Sequence, residues 1–172
     1  METALEISKY ILPALVVFAT VYFVMKRYLN MQYSTQVLKF KQEQIRNTLP
    51  IKLQAYERMA MFCERISIDN LSYRLSSEHL DAKSMGNAML IAIQQEYEHN
   101  MSQQVYVSEQ LWQIITMAKD QMQNIVSTAA ADRSVNTSGE LVQKALDVQK
   151  NLGNSPINTA KRAIKKEIDI IL

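Results

Sequence analysis

An uninterrupted apolar run near the N-terminus is the feature that most constrains this chain. It extends from Ile11 to Met25, and Lys26-Arg27 follow at once. Its length is about 22 Å as a helix, and flanking basic side chains can reach lipid headgroups to complete a span. The sequence therefore predicts a transmembrane anchor over residues 1–29. Its lipid-facing residues would be Ile11, Leu12, Leu15, Val16, Val17, Phe18, Val21, Phe23 and Val24.

Two other interpretations of this run remain. A cleaved signal peptide needs a basic region before the apolar core and a small-residue cleavage site after it. Glu2 and Glu6 precede the core with only Lys9, and no such site follows Met25. A helix buried in a soluble core is the second alternative.

The charges that follow the run predict its orientation. Between Lys26 and Thr48 there are five basic residues and one acid, a net charge of +4. Basic segments stay on the cytoplasmic side, so we expect the N-terminus outside and the body in the cytoplasm. Residues 30–48 would form a basic juxtamembrane helix. The topology-setting residues, which can also contact lipid headgroups, are Lys26, Arg27, Lys39 and Lys41.

Composition predicts that the remainder is helical. The 172 residues include only three Gly and three Pro, so few positions interrupt a helix. The single cysteine, Cys63, excludes a fold built on internal disulfides. Residues 51–132 carry a net charge of −4 and residues 133–172 a net charge of +3. No cluster of bases with aromatic partners indicates nucleic-acid binding.

Residues 49–132 are predicted to form an antiparallel bundle of three long amphipathic helices. Pro50 predicts a corner at Leu49, and Asp81 and Ser108 are suitable N-caps for the second and third helices. Apolar residues recur at three- and four-residue spacing in each. The predicted core consists of Met59, Phe62, Ile66, Met89, Ile93, Tyr97, Trp112, Ile115 and Met122.

Residues 133–172 are predicted to comprise a linker and C-terminal amphipathic helices. The stretch from Ser127 to Gly139 has linker composition, a helix follows up to Leu152, and Pro156 begins the last helix. That helix has an apolar stripe that must dock on its own bundle, a neighbouring subunit or a membrane surface. We favour protein because the stripe lacks Trp and Phe. The stripe includes Ile157, Ile164, Ile168 and Ile171.

Groups that could perform chemistry are few. No phosphate-binding loop, cysteine cluster or nucleophile motif is present. Glu96 and His99 lie three residues apart, the spacing of di-iron helical bundles. Such sites need a second pair, and the other histidine, His79, has no Glu three residues before it. A homodimer could supply that pair; a polar helix end without metal is the alternative.

Three blocks of sequence resemble one uncharacterised family. They are the segments Leu49–Arg58, Phe62–Ser67 and Gln95–Ser108, with Trp112 beyond them. They are similar to small single-pass, membrane-anchored helical proteins of Bacteroidota that carry a domain of unknown function. Cys63 and Ile68 depart from the residues expected there, leucine and proline. The resemblance spans about Leu49 to Ala118 and implies a helical domain at a bacterial inner membrane, with no assigned activity.

Two classes of function remain open. The first is a membrane-anchored interaction or scaffold protein, either a homo-oligomer or an accessory subunit of an envelope complex. It would be no enzyme and would use no cofactor, small-molecule substrate or nucleic acid. The second is a metal-binding protein that uses Glu96 and His99.

Overall fold

The computed structural model describes the backbone of residues 2–75 and 81–171 and the side chains of residues 11, 13, 15–75 and 81–171. Apart from one isolated bridge between Asp81 and Thr137, these residues form helices and their connections. A 3₁₀ turn, Met101–Val105, lies between the third and fourth helices. The α-helices are α1 (Glu2–Arg65), α2 (Ile68–Leu75), α3 (Ala82–Asn100), α4 (Glu109–Ala130), α5 (Ser138–Asn151) and α6 (Pro156–Ile171).

The predicted transmembrane anchor is wrong. Among the residues that the structure describes, no helix combines the length and the apolar character that crossing a bilayer requires. The run from Ile11 to Met25 is short of the roughly 20 apolar residues of a spanning helix. A longer window takes in Lys9 on one side or Lys26 and Arg27 on the other. The single-pass inner-membrane location and the orientation deduced from it are wrong with it.

The predicted corner at Leu49 is also wrong, because α1 continues through Pro50. Proline removes one backbone hydrogen bond from a helix interior, but its fixed φ is compatible with helical backbone. The chain nevertheless divides at this position into two compact units, Met1–Leu49 and Pro50–Leu172. Pro50 therefore marks a boundary between units without ending the helix.

The unit Pro50–Leu172 is a helical bundle arranged around α4. That helix packs against α3, α5 and α6, while α2 packs against α3 and α5. The part of α1 that follows Pro50 adds Tyr56, Met59, Phe62 and Cys63 to the same core. The amphipathic patterns of the sequence thus face one another, as a bundle requires.

Seven of the nine predicted core residues are buried, the exceptions being Tyr97 and Trp112. These two rings are half-buried and stack with centroids 5.4 Å apart. Lys119 lies 4.9 Å from the centroid of the Tyr97 ring, and the Tyr97 hydroxyl contacts Thr116. The aromatic pair therefore covers the edge of the core.

The helix starts follow the predicted caps. Asp81 accepts a hydrogen bond from the Ser84 N–H, and Ser108 accepts one from the Leu111 N–H. The predicted linker is shorter than its composition suggested, because α4 extends to Ala130 and α5 begins at Ser138. Alanine favours helix at the end of α4, and Thr137 forms a capping box with Glu140 at the start of α5.

Gly86 lies where α3 packs closely against the last residue of α4. A Cβ atom at this position would lie 2.9 Å from the Cβ of Ala130. The glycine that breaks the helical pattern of α3 is therefore required by packing.

Candidate functional site

The predicted metal pair lies in an ion-pair cluster. The Glu96 carboxylate accepts hydrogen bonds from Arg65 Nε at 2.7 Å and Arg74 Nη1 at 3.2 Å, both on Oε1. His99 lies one turn further along α3 and is exposed. Arg65, Glu96 and His99 line an open cavity of about 300 Å³ together with Gln95.

This cluster joins three helices. Arg65 is the last residue of α1, Arg74 lies near the end of α2, and Glu96 lies on α3. Arg74 also donates to the Arg65 carbonyl at 2.8 Å, so it satisfies a backbone acceptor at the end of α1. Both guanidinium groups bind a Glu96 side chain that is only 13% exposed. This arrangement indicates a structural role, in which the ion pairs hold α1, α2 and α3 together.

The cluster does not resemble a metal centre. A metal ion would have to displace two guanidinium groups from Glu96. Besides Glu96, His99 is the one His, Cys, Asp or Glu among the described residues that line this cavity. In residues 2–75 and 81–171, no group of three or more His, Cys, Asp or Glu side chains is placed to hold a metal. His79 lies outside the described residues.

A second polar site lies where α1, α4 and α6 meet. The Glu167 carboxylate accepts a hydrogen bond from the Tyr56 hydroxyl at 2.8 Å and one from the Ser108 N–H at 2.9 Å. The Ser108 hydroxyl donates to its other oxygen. Ser108 thus caps α4 through its side chain while α6 binds the same residue.

The protonation states at this site follow from these contacts. Burial raises the pKa of Glu167, but the hydrogen bonds from Ser108 and Tyr56 and the charge of Lys52 outweigh it, so the pKa lies below its usual value. Burial and the adjacent carboxylate raise the pKa of Tyr56. Glu167 is therefore a carboxylate and Tyr56 a neutral donor at neutral pH. These two states hold α6 against the bundle.

The apolar stripe of α6 is used within the chain itself. Ile157 and Ile164 are buried, and Ile168 and Ile171 are half-buried against the same core. Lys161 on the neighbouring face pairs with Glu64 of α1. Of the three docking partners considered for this stripe, its own bundle is the one that the structure supplies.

Free thiol chemistry is not indicated at Cys63. The residue is buried in the core, and burial raises the pKa of its thiol to about 12. It therefore remains protonated and packs as a small apolar residue.

A family model of unknown function, DUF7935, matches residues 2–171. The chain belongs to DUF7935. This confirms the resemblance to an uncharacterised family and extends it from about seventy residues to nearly the whole chain. Bacterial origin in Bacteroidota stays a prediction. Neither the comparison with curated proteins nor that with solved structures found a match.

Among the described side chains of this DUF7935 chain, many large apolar residues are exposed on the unit Met1–Leu49. Phe18, Phe23 and Val17 are 62–70% exposed, and the other predicted anchor residues with described side chains are more than half exposed. The side chain of Leu12 lies outside the described residues. The four predicted topology residues, Lys26, Arg27, Lys39 and Lys41, are exposed on the same helix.

Sequence reasoning missed the partners of both polar sites in this DUF7935 chain. The sequence pattern could have indicated Glu167, because it is the one acid beside the apolar stripe of a helix whose other charges are mostly basic. Arg65 and Arg74 carried none, because their convergence on Glu96 depends on how α2 turns back toward α3. In the described residues, neither site arranges groups in a way that indicates catalysis.

Proposed function

We propose that this chain is a helical interaction protein, an accessory subunit that binds another protein through the first unit of α1. The observation that carries the proposal is the exposure of that unit. From Leu15 to Leu29, large apolar side chains lie on all sides of the helix and have exposed fractions of 51–70%. A continuous apolar surface of this extent is typical of a binding surface.

The energetics of a helix support the same conclusion. Helices in water gain most of their stability from burying an apolar face. After Pro50, α1 does this through Tyr56, Met59 and Phe62, which lie in the bundle core. Before Pro50, no large apolar side chain that is described is buried. A partner would supply the burial that the first unit lacks.

The bundle is better suited to supporting α1 as a binding helix than to catalysing a reaction. Its polar sites hold helices together through Glu96 and Glu167, whose partners are side chains and backbone of the same chain. The apolar face of α6 is already occupied. The exposed apolar side chains in the first unit of α1 are thus the ones that a partner protein would bury.

Site-specific photo-crosslinking in cells tests this proposal. A photoreactive residue replaces Phe40 in the first unit, and in a matched control it replaces Ile91 on α3, since the two side chains are 62% and 57% exposed. We expect a discrete crosslinked protein from position 40 and none from position 91. The crosslinked species would be identified by mass spectrometry.

A second, differently tagged copy of the chain in the same cells distinguishes self-association from binding of another protein. Crosslinking at position 91 alone, or none at position 40 at native expression levels, would contradict the proposed role of α1.

A further inference from the structure

One face of the first unit of α1 forms an open groove of about 480 Å³. Val37 is 37% exposed at its centre, whereas Tyr33 and Phe40 on either side are 72% and 62% exposed. The lining residues recur at three- and four-residue spacing, so they share one side of the helix. They are Tyr33, Gln36, Val37, Phe40, Lys41 and Gln44.

Positive charge accompanies this groove. Lys41 lines it, and Lys26 lies on the same side because it precedes Val37 by about three helical turns. Glu43, the one acid between Lys26 and Thr48, points about 120° away from Val37 around the helix. Lys26 and Lys41 therefore lie on the groove side of the helix, whereas the one acid of the segment lies at the edge of the groove, three residues after Phe40.

We infer that this groove binds an acidic amphipathic helix of a partner protein. The inference rests on the proposed function and names the chemistry of the partner. Apolar side chains of that helix would enter between Tyr33 and Phe40, and its carboxylates would face Lys26 and Lys41. Helices that bind in grooves use apolar anchors at three- and four-residue spacing, and opposite charge at the edges sets specificity.

A second copy of the chain is a poorer occupant of the groove. Pairing the same segment of two copies would bring together two helices that each carry a net charge of +4 between Lys26 and Thr48. Like charges across an interface cost free energy and suppress association. The charge of the segment therefore favours a different, acidic protein.

Two synthetic helical peptides provide the test. Each is about three heptads long with the same Leu and Ile stripe, and the edge positions are Glu in one peptide and Lys in the other. Fluorescence anisotropy measures the binding of each labelled peptide to the full-length chain. We expect the acidic peptide to bind at least about tenfold more tightly, which corresponds to about 1.4 kcal/mol, and to weaken with added salt.

Charge-reversal variants locate the binding site. Lys41→Glu and Lys39→Glu change the net charge equally, but Lys39 lies roughly 160° from Lys41 around the helix. Tyr33→Ala and Tyr28→Ala form a second pair, because Tyr28 lies roughly 140° from Tyr33. We expect Lys41→Glu and Tyr33→Ala each to weaken acidic-peptide binding about tenfold, and their partners to have a much smaller effect.

Three results would overturn the inference: no binding of either peptide, equal binding of both, or equal losses from the two members of each pair. These failures are distinct from failure of the proposed function. If position 40 crosslinks to a protein in cells while the peptides show no preference for acid, α1 is a binding surface and only its acidic partner is refuted.

Discussion

The Tyr56 hydroxyl donates a 2.8 Å hydrogen bond to Glu167 across 111 residues of sequence. It joins α1, just after the boundary at Pro50, to the last helix of the bundle. Ser108 binds the same carboxylate from the start of α4, so this one acid connects α1, α4 and α6. Glu167 therefore holds α6 on its own chain together with the buried apolar stripe of that helix.

Removing the Tyr56 hydroxyl is expected to destabilise the bundle. Hydrogen bonds to charged groups contribute about 1.5–3 kcal/mol, and Ser108 would still hold Glu167. We expect Tyr56→Phe to lower the free energy of unfolding in urea by about 1–2 kcal/mol. The matched variant Tyr73→Phe, at a side chain that is 87% exposed, should change it by less than about 0.5 kcal/mol. Equal effects would mean that the Tyr56–Glu167 bond contributes nothing.

The same carboxylate should make stability depend on pH. The pKa of Glu167 in the folded state is lowered below its ordinary value of 4.5. Its contribution to stability is therefore present above that value and is lost as the pH falls through the folded-state pKa. Asp81 and Glu140 also have lowered pKa values, from hydrogen bonds at their helix caps. We therefore expect Glu167→Gln to retain an acid-dependent loss of stability smaller than that of the wild type.

Urea unfolding of both proteins from neutral to acidic pH measures this difference. The gap in unfolding free energy between wild type and Glu167→Gln should close as the pH falls. A constant gap would show that the charge of Glu167 has no part in docking α6.

Gly86 should resist replacement by alanine although alanine favours helix. The gain in helix propensity is about 1 kcal/mol, but the added Cβ would meet Ala130 Cβ at 2.9 Å, where two packed helices must separate. We expect Gly86→Ala to be destabilising by about 1–3 kcal/mol. Gly139→Ala, where no atom lies within 4 Å of the added Cβ, should be neutral or stabilising. Thermal unfolding of both variants would reveal whether they shift in opposite directions.

Truncation of Trp112 should cost less than truncation of a fully buried core residue, although Trp is the larger side chain. Its indole is half-buried and stacks on Tyr97. Trp112→Ala removes this stacking and the burial of part of the indole, so we expect it to lower the free energy of unfolding by about 2 kcal/mol. Ile115 is fully buried one turn away, and Ile115→Ala should cost about 2–5 kcal/mol. Chemical unfolding compares the two. A larger loss at Trp112 than at Ile115 would place the indole in the core.

Periodicity predicted the bundle because burial follows local spacing. The stripes of Met59, Met89 and Met122 face the core as their three- and four-residue recurrence required. The caps at Asp81 and Ser108 were equally local, since each needs one side chain and one N–H nearby. Features that arise within one or two helical turns could therefore be deduced from the sequence.

Features that depend on distant residues could not be deduced in the same way. The convergence of Arg65 and Arg74 on Glu96 follows from how three helices meet, so the Glu96–His99 spacing alone could not reveal the ion pairs of Glu96. The anchor failed for a different reason. An apolar run of fifteen residues bounded by charges lies near the limit for spanning, and spacing alone does not decide such a case.

Amide hydrogen exchange, followed by mass spectrometry, tests the binding role of α1 most directly. It compares the chain purified alone with the chain recovered together with its bound partner. In the free chain we expect fast exchange over residues 28–48, which lack tertiary support, and slow exchange in α4. In the complex, residues 28–48 should become protected at least about tenfold, most strongly near Val37 and Phe40. If that segment exchanges equally in both samples, or if protection is gained only in the bundle, α1 is not the binding surface.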